Sequence, residues 1–228
     1  MRLAPLVLSL FAMLAPRQAL LTVLAEKSFR LGEFKLSSGA SSDYYIDCRA
    51  TTLDAEGARL TARVFVDELY RRGWTPQAVG GLTLGADPIV AAIAMLTAQQ
   101  VQSRRPRASE SDAGWLIHGF IVRKAEKAHG TAQRIEGFRQ KGARVVIVDD
   151  VCTTGASTMQ AVAAAREFGF QVVGVMCLVE REEAGGRANL EKAAAPAPFI
   201  SIFTAKDVRE EHLRLKQLAG APPVKKIE

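Results

Sequence analysis

Two adjacent carboxylates and a hydroxyl-rich loop stand together in residues 145–158, which read VVIVDDVCTTGAST. The apolar run ends at Asp149 and Asp150, whose carboxylates accept hydrogen bonds. The loop after them does the reverse, because hydroxyl and backbone N–H groups donate, and Gly155 lets the backbone approach a ligand closely. Its hydroxyl donors are Thr153, Thr154, Ser157 and Thr158. A sugar phosphate fits this division, with its hydroxyls toward the carboxylates and its phosphate toward the loop.

A buried strand and a helix are needed to position these groups. We predict a strand over 144–150 and a helix over 157–169, which places the loop at the helix N-terminus. Free N–H groups and the positive end of the helix dipole favour a phosphate there. The alternative is a strand–turn–helix in which Asp and Thr side chains only cap the helix. A cap needs just one such side chain, and this stretch has several.

Strands alternate with helices along the rest of the chain. Further strands are predicted over 115–122, 170–180 and 199–204, and another at the start of 78–96, before a Gly-rich loop and an apolar helix. Further helices are predicted over 17–31, 54–73 and 206–218. The remaining segments are a strand pair over 33–49, an exposed loop over 99–114, a polar stretch over 123–137 and a loop or weak helix over 184–198. Near-continuous apolar strands are typical of a parallel sheet buried on both faces. The pattern therefore predicts an α/β fold with helices on both faces of a parallel sheet.

Composition limits the class of protein without choosing a ligand. The chain has 228 residues, and 48% of them are hydrophobic, which is enough for one domain with a sizeable core. Its net charge of +6 and pI near 9.4 allow nucleic acid or a phosphate-rich small molecule as partner. The cysteines, Cys48, Cys152 and Cys177, lie far apart without a C-x-x-C. This spacing argues against a disulfide framework or zinc site and favours a reducing cytoplasm.

The first sixteen residues, MRLAPLVLSLFAMLAP, resemble a signal peptide superficially. The spacing of an amphipathic helix is followed by Leu3, Leu6, Val7, Leu10, Phe11 and Leu14. The apolar run is also too short for an ordinary membrane span. We therefore expect a cytoplasmic protein that does not enter a membrane, with translation starting at Met1 or Met13.

A second chemical segment is RKAEKAHG, residues 123–130, which holds Arg123, Lys124, Lys127 and His129. Cations packed this closely repel one another unless an anion binds. A polar stretch that contains a glycine suits a mobile loop, and a loop that closes over a reacting site excludes water. The alternative is an ordinary solvated basic loop, because charge runs are commonly solvated.

Together these motifs resemble a known enzyme family. The strand with two acids and a Thr-Gly loop is similar to the signature of transferases that use phosphoribosyl pyrophosphate (PRPP), whereas G-x-x-x-x-G-K-[S/T] and G-x-G-x-x-G are absent. The R-K-x-x-K-x-H-G segment resembles the catalytic loop of orotate phosphoribosyltransferase. FKLSSGASSDYYID (34–47), GGLTLGADPI (80–89) and LVEREEAG (178–185) look like that family's N-terminal hairpin, pyrophosphate-side loop and orotate-binding segment. The resemblance covers residues 18–210.

The resemblance implies a division and a set of site residues. Residues 1–50 would form an N-terminal helix and hairpin, a hood over the base, and residues 51–228 the phosphoribosyltransferase core with a flexible catalytic loop over 123–137. The catalytic residues would be Lys127, Asp149 and Asp150. The PRPP-binding residues would be Arg123, Lys124, Lys127, His129, Asp149, Asp150, Val151, Cys152, Thr153, Thr154, Gly155, Ala156 and Ser157. The orotate-binding residues would be Tyr45, Ile46, Thr153 and Arg181.

The implied reaction transfers ribose 5-phosphate from PRPP to orotate, giving orotidine 5′-monophosphate and pyrophosphate in pyrimidine synthesis. Mg²⁺ would be carried by the diphosphate, with no protein residue assigned as a metal ligand. The family also implies a homodimer with shared active sites and no nucleic-acid partner. The alternatives are transfer to another base, which would leave Arg181 without its carboxylate, and a non-catalytic PRPP-sensing regulator that binds nucleic acid. Ser37 and Gly85, with its neighbour Leu84, depart from relatives that carry lysines in these segments.

Overall fold

The structure is a computed structural model that describes residues 15–35, 41–104, 115–124 and 134–220. In chain order its first elements are α1 (Pro16–Lys27), β1 (Phe29–Lys35), β2 (Ser41–Ile46), α2 (Arg49–Thr52), α3 (Ala55–Arg71), β3 (Ala78–Leu82) and α4 (Asp87–Arg104). There follow β4 (His118–Val122), β5 (Ile135–Gly137), β6 (Arg144–Cys152), α5 (Ala156–Phe168), β7 (Gln171–Glu180), α6 (Gly186–Ala194), β8 (Phe199–Thr204) and α7 (Ala205–Gly220). A short 3₁₀ helix, Glu182–Ala184, precedes α6.

A six-stranded sheet forms the centre of the fold, in the order β5-β4-β3-β6-β7-β8. All of its neighbouring strands are parallel except β5, which pairs antiparallel with β4 at one edge. The predicted α/β fold is therefore confirmed, with one antiparallel strand added. Because β3, β6 and β7 are parallel, their C-terminal ends meet at one edge of the sheet, where ligands of such folds bind.

Alternating residues of β6 point to opposite faces of the sheet, which explains its continuous apolar run. Val146 and Val148 belong to a core with α1, α3, α4 and α7, whereas Val145 and Ile147 belong to a core with α5 and α6. Both faces are covered, so an apolar side chain is favoured at every position of the strand.

The N-terminal hairpin begins earlier than predicted. The helix predicted over 17–31 ends at Lys27, and Phe29 instead begins β1, where it pairs with Ile46 of β2. Its ring is buried and stacks on Tyr44 at 5.3 Å between centroids. An apolar residue at this position fits either a helical or a strand period, and the cross-strand partner decided the outcome.

Two predicted loops were also wrong in part. Residues 99–104 belong to α4, where Val101 is buried. Residues 135–137, predicted within the flexible segment, form β5, because Ile135 pairs with Val122 and is buried. The open choice for 184–198 resolves in favour of a helix, α6. The predicted helix start at Asp54 is confirmed, since its carboxylate accepts a hydrogen bond from the N–H of Gly57 at 3.0 Å.

Several predictions lie outside the described residues. These are the N-terminal segment with both candidate start residues, Ser37, the stretch 105–114, and the loop cations Lys127 and His129. Within the described ranges, no helix combines the length and the apolar character that a membrane crossing requires. The hairpin β1–β2 is a sheet separate from the six-stranded one. A boundary between hood and core near residue 50 stays a prediction.

Candidate active site

The two acids lie near the C-terminal end of β6, which continues to Cys152 rather than ending at Asp150. Asp149 is 4% exposed and accepts a hydrogen bond from the Thr158 hydroxyl at 2.6 Å. The Asp150 N–H donates to the Asp149 carboxylate at 3.0 Å, and the Val151 N–H donates to the Asp150 carboxylate at 2.9 Å. These backbone bonds hold both carboxylates in place at the end of the central strand.

Burial changes the charge of this pair. Loss of solvent raises the pKa of Asp149 to about 7, although the Thr158 hydroxyl favours the ionised form. Burial also raises the pKa of Asp150, although the backbone N–H groups oppose it. Because the two carboxylates interact, ionisation of one opposes ionisation of the other, and near neutral pH the pair is only partly ionised. A ligand that donates hydroxyl hydrogens to both carboxylates would favour the fully ionised pair.

The loop after β6 turns sharply at Gly155, which has φ +78° and occupies the N-cap position of α5. A Cβ there would lie 2.7 Å from Leu190, so both the backbone angle and the space require glycine. No side chain caps α5. The capping alternative is thus not realised, and Thr153, Thr154 and Ser157 are exposed. The first N–H groups of α5 and these hydroxyls form a cradle of hydrogen-bond donors.

One hydroxyl of the motif has a different role. Thr158 was predicted as a fourth donor to phosphate, but its side chain is buried and donates to Asp149. It lies one position further along the first turn of α5 than Ser157, which turns it toward the strand. Cys152 is also buried, so only its backbone can reach a ligand.

A cavity of about 310 Å³ lies at these acids. Its lining residues from the motif are Asp149, Asp150, Val151, Thr153 and Ser157, joined by Tyr45 and Ile46 of β2, Lys124, the Thr83–Gly85 turn, Asp47 and Arg49. We call this the acid cavity. A Cβ on Gly85 would come 2.3 Å from the Asp150 carboxylate, so the turn after β3 packs directly on that acid.

A larger cavity of about 1010 Å³ adjoins it, and Tyr45 and Thr153 line both. We call this the arginine cavity, because Arg181 lies in its wall. Arg181, which the family resemblance implied as an orotate-binding residue, is 8% exposed. A buried guanidinium facing a cavity needs anionic or polar partners.

Arg181 has such partners within the chain. Its Nε lies 3.0 Å from both the Tyr44 hydroxyl and the Glu183 carboxylate, and Nη2 donates to the Ser42 hydroxyl at 3.1 Å. Its guanidinium also lies 4.4 Å from the centre of the Tyr44 ring. Burial and the hydrogen bond to Glu183 raise the pKa of Tyr44 to about 12, so it remains a neutral donor. Nη1 makes no hydrogen bond to any residue that the structure describes.

The predicted basic residues are placed only in part. Lys124 lines the acid cavity, and Arg123 lies 3.5 Å from Glu136 of β5. Lys127 and His129 lie outside the described residues. Sequence reasoning missed Glu183, Ser42, Asp47 and Arg49. The two-residue spacing of Arg181 with Glu183 and of Asp47 with Arg49 could have indicated ion pairs, whereas the contact of Ser42 with Arg181 depends on the fold.

Comparisons with known proteins agree with this geometry. A family model described as "Phosphoribosyl transferase domain" matches residues 117–194. The chain is 40% identical over 195 residues to an orotate phosphoribosyltransferase of Aquifex aeolicus, covering 84% of this chain and 97% of that protein. It is 44% identical over 183 residues to an orotate phosphoribosyltransferase of Streptomyces avermitilis, covering 80% and 91%.

Solved structures of phosphoribosyltransferases are also similar to this chain over most of its length. Orotate phosphoribosyltransferase of Mycobacterium tuberculosis in complex with PRPP has a TM-score of 0.64 to this chain at 32% identity, covering 85% of this chain and 99% of that one. An adenine phosphoribosyltransferase of Thermoanaerobacter pseudethanolicus has a TM-score of 0.51 at 17% identity and covers 76% and 95%, which shows a shared fold alone.

Proposed function

The chain belongs to the orotate phosphoribosyltransferase family, and from this premise we propose how its residues carry out the reaction. It transfers the ribose 5-phosphate group of PRPP to orotate, giving orotidine 5′-monophosphate and pyrophosphate, a step of de novo pyrimidine synthesis. The observation that carries this conclusion is identity of about 40% along almost the whole length of relatives with this activity. Transfer to adenine finds support only at the level of fold.

PRPP is proposed to bind in the acid cavity. Its 5′-phosphate would accept hydrogen bonds from the N–H groups and hydroxyls between Thr153 and Ser157, where the dipole of α5 also favours an anion. Its ribose hydroxyls would donate to Asp149 and Asp150. This arrangement is supported by the exposed hydroxyls, the uncapped helix and the two carboxylates that line one cavity.

Orotate is proposed to bind in the arginine cavity, next to Tyr45 and Thr153, which line both cavities. Its carboxylate would pair with Arg181, whose Nη1 has no partner among the described residues. Ile46 lines the acid cavity beside Tyr45, so the end of β2 would lie where base and ribose join. The reacting nitrogen of the base would then face the anomeric carbon of the sugar.

Departure of pyrophosphate leaves positive charge on the ribose ring and negative charge on the leaving oxygens. The ionised pair Asp149 and Asp150 would stabilise the first, and the cations Arg123, Lys124, Lys127 and His129 would stabilise the second. Lys124 already lines the cavity. A loop that closes over the site would also exclude the water that could hydrolyse PRPP.

Magnesium is proposed to arrive with the diphosphate. In the described part of the chain, no group of three or more His, Cys, Asp or Glu side chains could hold a metal ion. The acid cavity offers carboxylates that already accept internal hydrogen bonds, which suits an ion held mainly by substrate oxygens and water. When bound, it would neutralise part of the diphosphate charge.

We further propose that the protein acts in the cytoplasm as a homodimer whose catalytic loops reach into each other's sites. The support for this proposal is membership of the orotate phosphoribosyltransferase family. The alternative of a nucleic-acid-binding regulator is supported by the net charge of +6, but that charge fits a phosphate-rich small molecule equally well.

The direct test is an assay of orotate consumption with PRPP and Mg²⁺. We expect orotidine 5′-monophosphate and pyrophosphate in equal amounts, and no product from uracil or adenine, which lack a carboxylate for Arg181. Turnover of adenine at a rate similar to that of orotate would contradict the assignment of the base.

A further inference from the structure

Arg49 lies in the acid cavity without a role in the reaction described above. It opens the short helix α2 directly after the β1–β2 hairpin. Its Nε and Nη2 each lie 2.9 Å from one oxygen of the Asp47 carboxylate, and its backbone N–H donates to the same carboxylate at 3.1 Å. The guanidinium is therefore held in one orientation, with about half of the side chain exposed to solvent.

The guanidinium lies near the acid that faces the turn after β3. The hydrogen bond to Asp47 and the negative charges of Asp47 and Asp150 raise the pKa of Arg49, and the charge of Arg49 opposes the rise that burial gives to the pKa of Asp150. Asp150 is also the carboxylate that Gly85 of the turn contacts. Arg49 and the Thr83–Gly85 turn thus lie at the same acid of the cavity.

This part of the cavity has a deficit of positive charge. The residues of the Thr83–Gly85 turn carry no cation, and Leu84 is 65% exposed. In the described part of the chain, the cationic side chains that line the acid cavity are Arg49 and Lys124. A diphosphate carries several negative charges, so both of these cations are needed to balance part of them.

We propose that Arg49 binds the diphosphate of PRPP and supplies the charge that the turn after β3 lacks, an inference that rests on the proposed function. A planar guanidinium fits two phosphate oxygens at once, and such bonds are stronger than bonds between neutral groups. Asp47 acts as a positioning residue that orients Arg49 before PRPP arrives. Because both side chains of this ion pair are partly exposed, sharing the guanidinium with a phosphate costs little.

The test measures binding of three compounds by calorimetry in the presence of Mg²⁺: PRPP, pyrophosphate and ribose 5-phosphate. The variants are Arg49→Gln and Arg49→Lys. The matched control is Arg59→Gln, because Arg59 makes the same two-pronged pair with Glu56, at 2.8 and 2.5 Å, on α3 rather than in the cavity. Thermal unfolding of each variant confirms that it is folded.

We expect Arg49→Gln to weaken PRPP and pyrophosphate about tenfold or more, and to leave ribose 5-phosphate within about twofold, since only the first two carry a diphosphate. Arg49→Lys should recover part of the loss, and Arg59→Gln should change none of the three. Unchanged PRPP affinity in folded Arg49→Gln would overturn the proposal, and so would an equal loss for ribose 5-phosphate. If the wild-type protein formed no orotidine 5′-monophosphate, the proposed function would fail, while the pyrophosphate titration would still decide the role of Arg49.

Discussion

Replacement of Asp149 by Asn is expected to stabilise the free protein at neutral pH and to weaken PRPP binding. Asp149 is buried beside Asp150, so the folded chain must keep a second negative charge out of water or hold a proton there. Asparagine has nearly the same shape and no charge. Its amide oxygen can accept from the Asp150 N–H, as Oδ1 of Asp149 does at 3.0 Å, and its NH2 group can donate to the Thr158 hydroxyl oxygen, which lies 2.6 Å from Oδ2 of Asp149.

The size and sign of the effect follow from the pKa. The pKa of Asp149 is raised from an ordinary value of 3.8 to about 7, mainly by burial. Between these two values the folded chain holds a proton that the unfolded chain has released, so the free energy of unfolding falls as pH rises through this window. At 1.36 kcal/mol for each unit, the wild-type protein loses up to about 4 kcal/mol of stability that the variant keeps.

The assay is urea unfolding of both proteins at intervals from about pH 4 to about pH 8, with the difference in free energy plotted against pH. The advantage of Asp149→Asn should grow from pH 4 to pH 7 and then level off. Asp47→Asn is the control of opposite sign, because its hydrogen bond with Arg49 lowers the pKa of Asp47. As the pH rises from acid values, the free energy of unfolding of that variant should fall below that of the wild-type protein. An Asp149→Asn difference that does not vary with pH would refute the buried, proton-holding acid.

The same titration should appear in binding, because ribose hydroxyls donate to ionised carboxylates. PRPP affinity of the wild-type protein is therefore expected to rise as pH passes upward through about 7, the pKa of Asp149. In Asp149→Asn the affinity should be lower and its rise with pH smaller, since Asp150 alone still titrates. Calorimetric titrations at several pH values would show this, and an equal pH dependence in both proteins would contradict the role of Asp149.

Three further changes are expected to separate the parts of the site. Lys127→Ala should lower turnover by about 100-fold through lost stabilisation of the leaving diphosphate, with the free energy of unfolding unchanged, and full turnover would exclude the loop from catalysis. Glu183→Gln should lower the KM for orotate about three- to tenfold, because the Glu183 carboxylate, 3.0 Å from Arg181 Nε, no longer competes with the orotate carboxylate for Arg181. A higher KM would show that Glu183 only positions Arg181. Gly155→Ala should abolish binding of ribose 5-phosphate, because of the φ of +78° and the contact with Leu190, and binding as in the wild-type protein would contradict the cradle.

The central strand, its loop and the following helix could be predicted from the sequence because local signals coincide there. A continuous apolar run, two acids, a glycine and an amphipathic helix all occur within 144–169, and each limits the others. The structure has β6 over Arg144–Cys152 and α5 over Ala156–Phe168, within two residues of the prediction at each end.

The misplaced elements had weaker local signals. Phe29 fits a helical or a strand period, and its pairing with Ile46 lies across the hairpin. The three residues of β5 are too few to show a period, and they form a strand only because β4 offers an unpaired edge.

The environment of Arg181 depended on the fold rather than on spacing along the chain. Tyr44 and Ser42 lie 137 and 139 residues away in sequence, yet both contact its guanidinium. Arg49 likewise lines the acid cavity because the fold brings the end of the hairpin next to the end of β6. No sequence pattern connects these residues, so burial and partners could not be inferred before the structure.

A crystal structure of the protein with PRPP and Mg²⁺ is the most direct measurement of where the substrate binds. We expect the 5′-phosphate within hydrogen-bond distance of the backbone between Thr153 and Ser157, the ribose hydroxyls on Asp149 and Asp150, and the diphosphate toward Arg49 and Lys124. PRPP bound away from the end of β6, or bound there with neither acid in contact with the ribose, would contradict this arrangement.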